Sequence, residues 1–169
     1  MVDVLHQDFV KECQALDIFP YVQRATLDII LETAMGVCMD IQNKRHSEYL
    51  ACIEDTVRIM QLRQALPWYM NDIMFKLFPI EKKLRNVLKV LKDFTKDVVN
   101  EKASRIQNIS AEKNRTAFLD LLLSYKVEDQ SLSLEDITEE VDTFMFEGHD
   151  TTTCSIAWTL FLIGNHPEV

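Results

Sequence analysis

The chain has 169 residues, of which 47% are hydrophobic and 27% charged, with only three Gly and four Pro. Those proportions argue against a disordered chain and against an all-β fold. A formal charge of −9 argues against a nucleic-acid binder, because phosphate contacts need a basic face.

Six helical segments are expected, near 3–15, 20–36, 47–65, 81–108, 115–126 and 134–164. In the second, Ala25, Leu27, Ile29, Ile30, Ala34 and Met35 give a nearly all-round apolar surface, so this helix should be buried, with Gly36 as its stop signal. Between the third and fourth, Pro67 and Pro79 bracket Trp68, Tyr69, Met70, Ile73, Met74, Phe75, Leu77 and Phe78, a connection that must pack under a neighbour or meet lipid. The fourth carries Leu84, Val87, Leu88, Leu91, Thr95, Val98 and Val99 at helical spacing with lysines opposite, and should lie on the surface. From Lys76 to Lys96 seven cations face only Glu81 and Asp93, so that 66–92 reads as a membrane-surface contact or, more plainly, as a core-filling loop followed by a solvated helix face. No run approaches the ~20 apolar residues of a spanning helix, and Met1-Val2-Asp3-Val4 does not open a signal peptide. The cysteines Cys13, Cys38, Cys52 and Cys154 form no C-x-x-C pair and are read as reduced thiols of a reducing compartment or cytosolic face.

The last helix holds the chemistry. Ser133 with Asp136 three residues on reads as a capping-box variant, and the stripe Ile137, Val141, Phe144, Met145, Gly148, Thr152, Ile156, Leu160, Ile163 continues until Gly164 and Pro167. Such a helix is about 45 Å long and crosses a whole domain. Its middle, Glu147-Gly148-His149-Asp150-Thr151-Thr152-Thr153, places poor helix formers beside a glycine inside the stripe. A local distortion is expected there, freeing backbone groups and admitting water; the competing reading is polar groups that satisfy one another in a core.

Phe144 to Thr152 resembles the central helix motif of cytochromes P450, Ala/Gly-Gly-x-Asp/Glu-Thr-Thr/Ser, in the form with Glu first and His third that characterises the family-four fatty-acid ω-hydroxylases of the 4V/4C-like branch. The flanks Glu139 to Thr143 and Gly164 to Val169, the stretch from Asp17 to Gly36 and the stretch from Arg115 to Leu123 are similar too. The resemblance implies a mainly α fold, with residues 1–169 forming a partial cytochrome P450 domain of about six helices around the long oxygen-activating helix. It implies that Thr151, helped by Asp150 and ordered water, supports proton delivery to oxygen by relay. It implies that Gly148 leaves room for dioxygen and bending, and that Glu147, one turn before Thr151 on the same face, holds haem, as an ester in many members. The cofactor-binding set is therefore Glu147, Gly148 and Thr151. His149 is read as a polar helix residue rather than a ligand, because no second ligand stands at helical spacing from it.

The same resemblance implies haem b as cofactor, NADPH reaching it through NADPH-cytochrome P450 reductase, a lipophilic substrate such as a fatty acid, and the cytosolic face of the endoplasmic reticulum membrane as location. The family's ligand loop, Phe-x-x-Gly-x-x-x-Cys-x-Gly, fits none of the four cysteines, and the Glu-x-x-Arg brace that the family typically carries C-terminal to this helix is not found there. The axial Cys is expected outside this chain, with the N-terminal anchor, and no metal ligand within it. A partial polypeptide, inactive alone, is the expectation. The rival class is a non-enzymatic helical ligand- or partner-binding module.

Overall fold

A computed structural model describes residues 1–12, 17–43, 47–106, 117–129 and 132–166. Every long element among them is helical. The helices are α1 (Val2–Glu12), α2 (Phe19–Ile30), α3 (Ser47–Ala65), α4 (Pro67–Met70), α5 (Asp72–Phe75), α6 (Pro79–Ile106), α7 (Phe118–Asp129) and α8 (Leu134–Asn165), and no strand occurs among the described residues. All six expected segments are present. Residues 13–15, 107–108 and 115–116 of those expectations lie outside the described residues, and α7 starts at Phe118, where the Asp120 carboxylate accepts the Ala117 N–H at 3.1 Å.

The greasy connection is not a plain loop. Pro67 opens α4 at a position where a missing N–H costs nothing. Asn71 then caps α5 by accepting from the N–H groups of Ile73 and Met74 at 2.9 and 3.2 Å. Phe75 is buried, at 4% exposure, with the half-buried Tyr69 ring packed edge-on against it and against Phe78, while Trp68, Met70, Ile73 and Leu77 are more than half exposed.

The expected distortion is displaced. Residues 147–153 stay in continuous α-helix, because the hydroxyls of Thr151, Thr152 and Thr153 donate back to the carbonyls of Glu147, Gly148 and His149 at 2.6, 2.8 and 2.8 Å and leave the ladder intact. The wide turn is instead at Leu31–Met35, a π segment that continues α2 and ends at Gly36 with φ 65°. Only a residue without Cβ holds that left-handed conformation at little cost. One extra residue in that turn lets Leu31 and Met35 both reach full burial.

The core lies between α8 and its neighbours. Leu27, Leu31 and Met35 from the α2 side meet Ile137, Val141 and Met145 of α8, with Val98, Val99 and Leu119 closing the cluster from α6 and α7. Each such side chain contributes about 1.5–3 kcal/mol on burial. The buried face of α2 is one-sided rather than all-round: Ile29 is 57% exposed, because α8 covers only one flank. α6 is a surface helix as expected, with Val87, Thr95, Val98 and Val99 inward, although Leu88 points out and Phe94 packs in at 4.2 Å from the Tyr49 ring.

Polar ties fix the connections. The Asp28 carboxylate accepts from the Ile41 and Gln42 N–H groups at 2.7 and 3.1 Å, holding the turn after Gly36 against α2. Lys102 pairs with Asp120 at 3.0 Å and donates to the Gly36 carbonyl at 3.3 Å, locking α6, α7 and the π segment together. Between α6 and α8 the Thr95 hydroxyl donates to Asp142, whose carboxyl burial pushes above its ordinary range. No helix among the described residues is long and apolar enough to cross a membrane.

Candidate functional site

Helix α8 begins as the sequence indicates, with a reciprocal cap: the Ser133 hydroxyl oxygen accepts the Asp136 N–H at 3.1 Å and the Asp136 carboxylate accepts the Ser133 N–H at 2.8 Å. From there two faces diverge. The inward one runs Ile137, Val141, Met145, His149, Thr153 in strict steps of four, and all five are buried. This corrects the expected stripe. Phe144 is 46% exposed and stacks on Phe118, and Thr152, Leu160 and Ile163 are exposed.

The outward face carries Glu147, Thr151, Cys154, Trp158 and Phe161 in steps of four, three, four and three, all of them exposed. It is polar at one end and apolar at the other. Thr151 donates its hydroxyl proton to the Glu147 carbonyl at 2.6 Å, so the two residues share one turn and one face. Asp150 is half-buried on the flank between the faces. The next turns offer Trp158 and Phe161 edge-on at 5.8 Å, beside a groove of about 410 Å³ that Ile18, Phe19, Cys154 and Ala157 also line. Cys154, Trp158 and Phe161 escape a reading based on one core stripe; the four-three spacing from Glu147 is the signal that finds them.

Gly148 lies at the crossing of α8 and α2. A Cβ there would collide with Cδ1 of Ile30, so the missing side chain lets the two helices approach. That packing role stands beside the one the motif suggests. Since Ile30 can turn its terminal methyl aside, Gly148→Ala is expected to be near neutral, with gained helix propensity of about 1 kcal/mol offsetting the contact. Gly148→Val, branched at Cβ, should cost about 1–3 kcal/mol. Adding Ile30→Ala should return part of that loss, which urea denaturation of the two single variants and the double variant measures. Strict additivity would mean that the two side chains do not meet.

Beneath the outward face a buried polar seam joins α2 to α8. Thr26 and Thr153 share a hydrogen bond of 2.6 Å, and the Thr26 hydroxyl also lies 3.1 Å from the carbonyls of Val22 and Gln23. His149 is fully buried one turn before Thr153, and neither of its ring nitrogens has a hydrogen-bond partner among the described residues. Burial pushes its pKa down, with the Asp150 carboxylate partly opposing.

The outward face fits one wall of a haem pocket: aromatic and small apolar side chains for a flat macrocycle, next to a hydroxyl and two carboxylates. Burial pushes the thiols of Cys52 and Cys154 up. No cluster of three His, Cys, Asp or Glu side chains able to hold a metal occurs among the described residues, and Cys13 lies outside them.

The chain is 41% identical over 172 residues to cytochrome P450 4c3 of Drosophila melanogaster, covering 92% of the chain and 32% of the relative. It is 38% identical over 168 residues to cytochrome P450 4V2 of Homo sapiens, covering 92% and 32%, and 39% identical over 159 residues to cytochrome P450 4c21 of Blattella germanica, covering 88% and 32%. It therefore spans about a third of the length of the curated relatives it matches. The sequence profile of the family described as Cytochrome P450 matches residues 1–169, and the chain belongs to that family.

Proposed function

We propose that residues 1–169 supply the oxygen-side helix and the roof of the substrate pocket in a haem-thiolate monooxygenase that hydroxylates fatty acids or related lipophiles. The observation that carries this reading is the outward stripe of α8, where Glu147, Thr151, Trp158 and Phe161 share an uncovered face inside a chain matched by the family along its whole length. The haem, ligated by a cysteine outside these residues, would supply oxygen reduction and transfer of one oxygen atom.

The residues of the chain hold and aim. Thr151 donates to the Glu147 carbonyl and keeps both lone pairs free, so its oxygen can accept a proton from water bonded to Asp150 and pass on its own by turning outward. That is a general-acid relay with Asp150 as proton source and Thr151 as last donor. Glu147 would hold the haem edge, as an ester in this reading. Electrons would come from NADPH through a reductase, and the location would be the cytosolic face of the endoplasmic reticulum membrane. The exposed side chains of 66–77 with the lysines up to residue 92 would form a lipid-facing rim beside the substrate entrance. Alone, the chain would be inactive.

The test is a graft of residues 1–169 into cytochrome P450 4c3 in place of the matching third. The graft is expected to take up haem with a thiolate spectrum and to hydroxylate a fatty acid at the expense of NADPH, while the 169-residue chain by itself takes up none. A graft that folds and remains free of haem would overturn the proposal in favour of a helical binding module.

A further inference from the structure

A second site lies away from α8, where the C-terminal end of α3 meets α5 and the first turns of α6. A groove of about 270 Å³ opens there, lined by Phe75, Leu84 and Leu88, by Arg63, Lys76 and Arg85, and by the carboxylates of Asp72 and Glu81. Arg63 is held in place by three contacts. Its Nε donates to the Tyr69 carbonyl at 3.2 Å, its guanidinium lies 4.5 Å from the Phe75 ring centre, and its remaining edge pairs at 2.5 Å with Asp72, whose side chain is 80% exposed. Arg85 pairs with Glu81 at 2.5 Å, four residues earlier on the same helix, while its own side chain is 74% exposed. Lys76 is exposed and makes no ion pair with any described residue. Exposed pairs of this kind hold weakly and exchange readily for a better anion, and a guanidinium takes a phosphate through two parallel hydrogen bonds.

What would bring a phosphate here is written in the residues beside it. Ile73 and Leu77, each 76% exposed, flank Lys76 in the chain, and Met70 and Trp68 stand exposed just before them. A free anion has no use for these apolar knobs. An apolar peptide has none for the cations. A bilayer with anionic headgroups satisfies both, since the apolar side chains enter the interfacial layer while a headgroup phosphate seats between the cations. The net charge of −9 repels such a surface elsewhere on the molecule, so the local excess of cations from Lys76 to Lys96 also orients the approach.

We propose that the Arg63–Lys76–Arg85 groove is a headgroup site for anionic phospholipid. The inference rests on the lipid-facing rim described above and adds a charge preference that the rim does not require. The two separate experimentally. Flotation of the 169-residue chain on phosphatidylcholine vesicles reads the rim, and replacing Trp68, Ile73 and Leu77 by Ser should abolish it. Adding phosphatidylserine reads the groove. Affinity is expected to rise, and Lys76→Gln or Arg85→Gln should each remove about fivefold of that rise while leaving phosphatidylcholine binding intact. Lys89→Gln and Lys96→Gln, on α6 outside the groove, serve as controls and should remove much less. Circular dichroism of every variant checks that the helices persist, and Lys76, in no ion pair among the described residues, is the position least able to disturb them. Equal losses at all four positions would reveal a diffuse basic face and overturn the site. No response to phosphatidylserine would overturn it as well. Displacement from vesicles by inorganic phosphate at low millimolar concentration would assign the groove to a free anion instead of a lipid.

Discussion

Replacing Thr151 by Ala in the cytochrome P450 4c3 graft is expected to cut the hydroxylated product formed per NADPH consumed, with the rate of product formation falling by about 10²–10⁴. NADPH oxidation continues, and its electrons leave as hydrogen peroxide, because oxygen is still reduced while proton delivery for its transfer is lost. Two features of the chain sharpen this expectation. Thr151 is exposed and, among the described residues, its hydroxyl bonds to the Glu147 carbonyl one turn back, so truncating it removes little packing. Ala is also the better helix former, by a few tenths of a kcal/mol. Folding stability should therefore stay the same or rise slightly, and a loss of coupling cannot be blamed on a damaged helix. Thr151→Ser keeps the hydroxyl and should restore most of the coupling. Water standing in for the hydroxyl would soften the loss toward the lower figure. The measurement is the product-to-NADPH ratio at matched haem content, and an unchanged ratio in Thr151→Ala would remove the relay role.

The residues whose spacing repeats are the ones that could be read in advance. The Ser133 cap and the long run of α8 follow from period and capping chemistry that lie within a few residues of each other in the chain. What could not be read depends on partners distant in sequence. The stripe through Phe144, Thr152 and Leu160 is a plausible core face until α2 takes its position, and α2 meets His149 and Thr153 instead. The π turn at Leu31–Met35 has no local signal beyond Gly36, since any of several apolar residues could begin it; burial of both Leu31 and Met35 decides. Glu147 and Thr151 were legible as a pair because four residues is one helical turn. Their apolar continuation through Trp158 and Phe161 was hidden by apolar residues on every side of α8 beyond Cys154, among them Leu160, Leu162 and Ile163.

His149→Leu is expected to stabilise the chain, by about 1–3 kcal/mol, although it alters the motif that identifies the family. The imidazole is fully buried and neither nitrogen has a partner among the described residues, so the folded state carries a desolvation cost that Leu does not. In thermal denaturation each kcal/mol corresponds to about 2–4 °C at this size. The pH dependence has a definite sign. Burial holds the folded pKa of His149 below its ordinary value, and the nearby Asp150 carboxylate opposes the shift without cancelling it. The unfolded chain therefore binds a proton near pH ~6.5 that the folded chain refuses until lower pH. Stability is unaffected by this group above that pH and falls as the pH drops toward the folded value, by up to about 1.4 kcal/mol per unit. Asp142 works in the opposite direction, because its raised carboxyl pKa makes the folded chain the better proton binder. Subtracting the wild-type curve from the His149→Leu curve removes Asp142 and leaves the imidazole, so the difference should widen on acidification from pH ~6.5 and stay flat above it. A variant less stable than wild type at every pH would mean that the ring makes hydrogen bonds in the folded chain. His149→Gln, which keeps buried polar atoms, should recover little of the gain. Because His149 points into the α2 contact and Thr151 points out of it, coupling in the graft should be unchanged by His149→Leu; a shift in both readouts would mean that the seam under α8 sets the position of the relay above it.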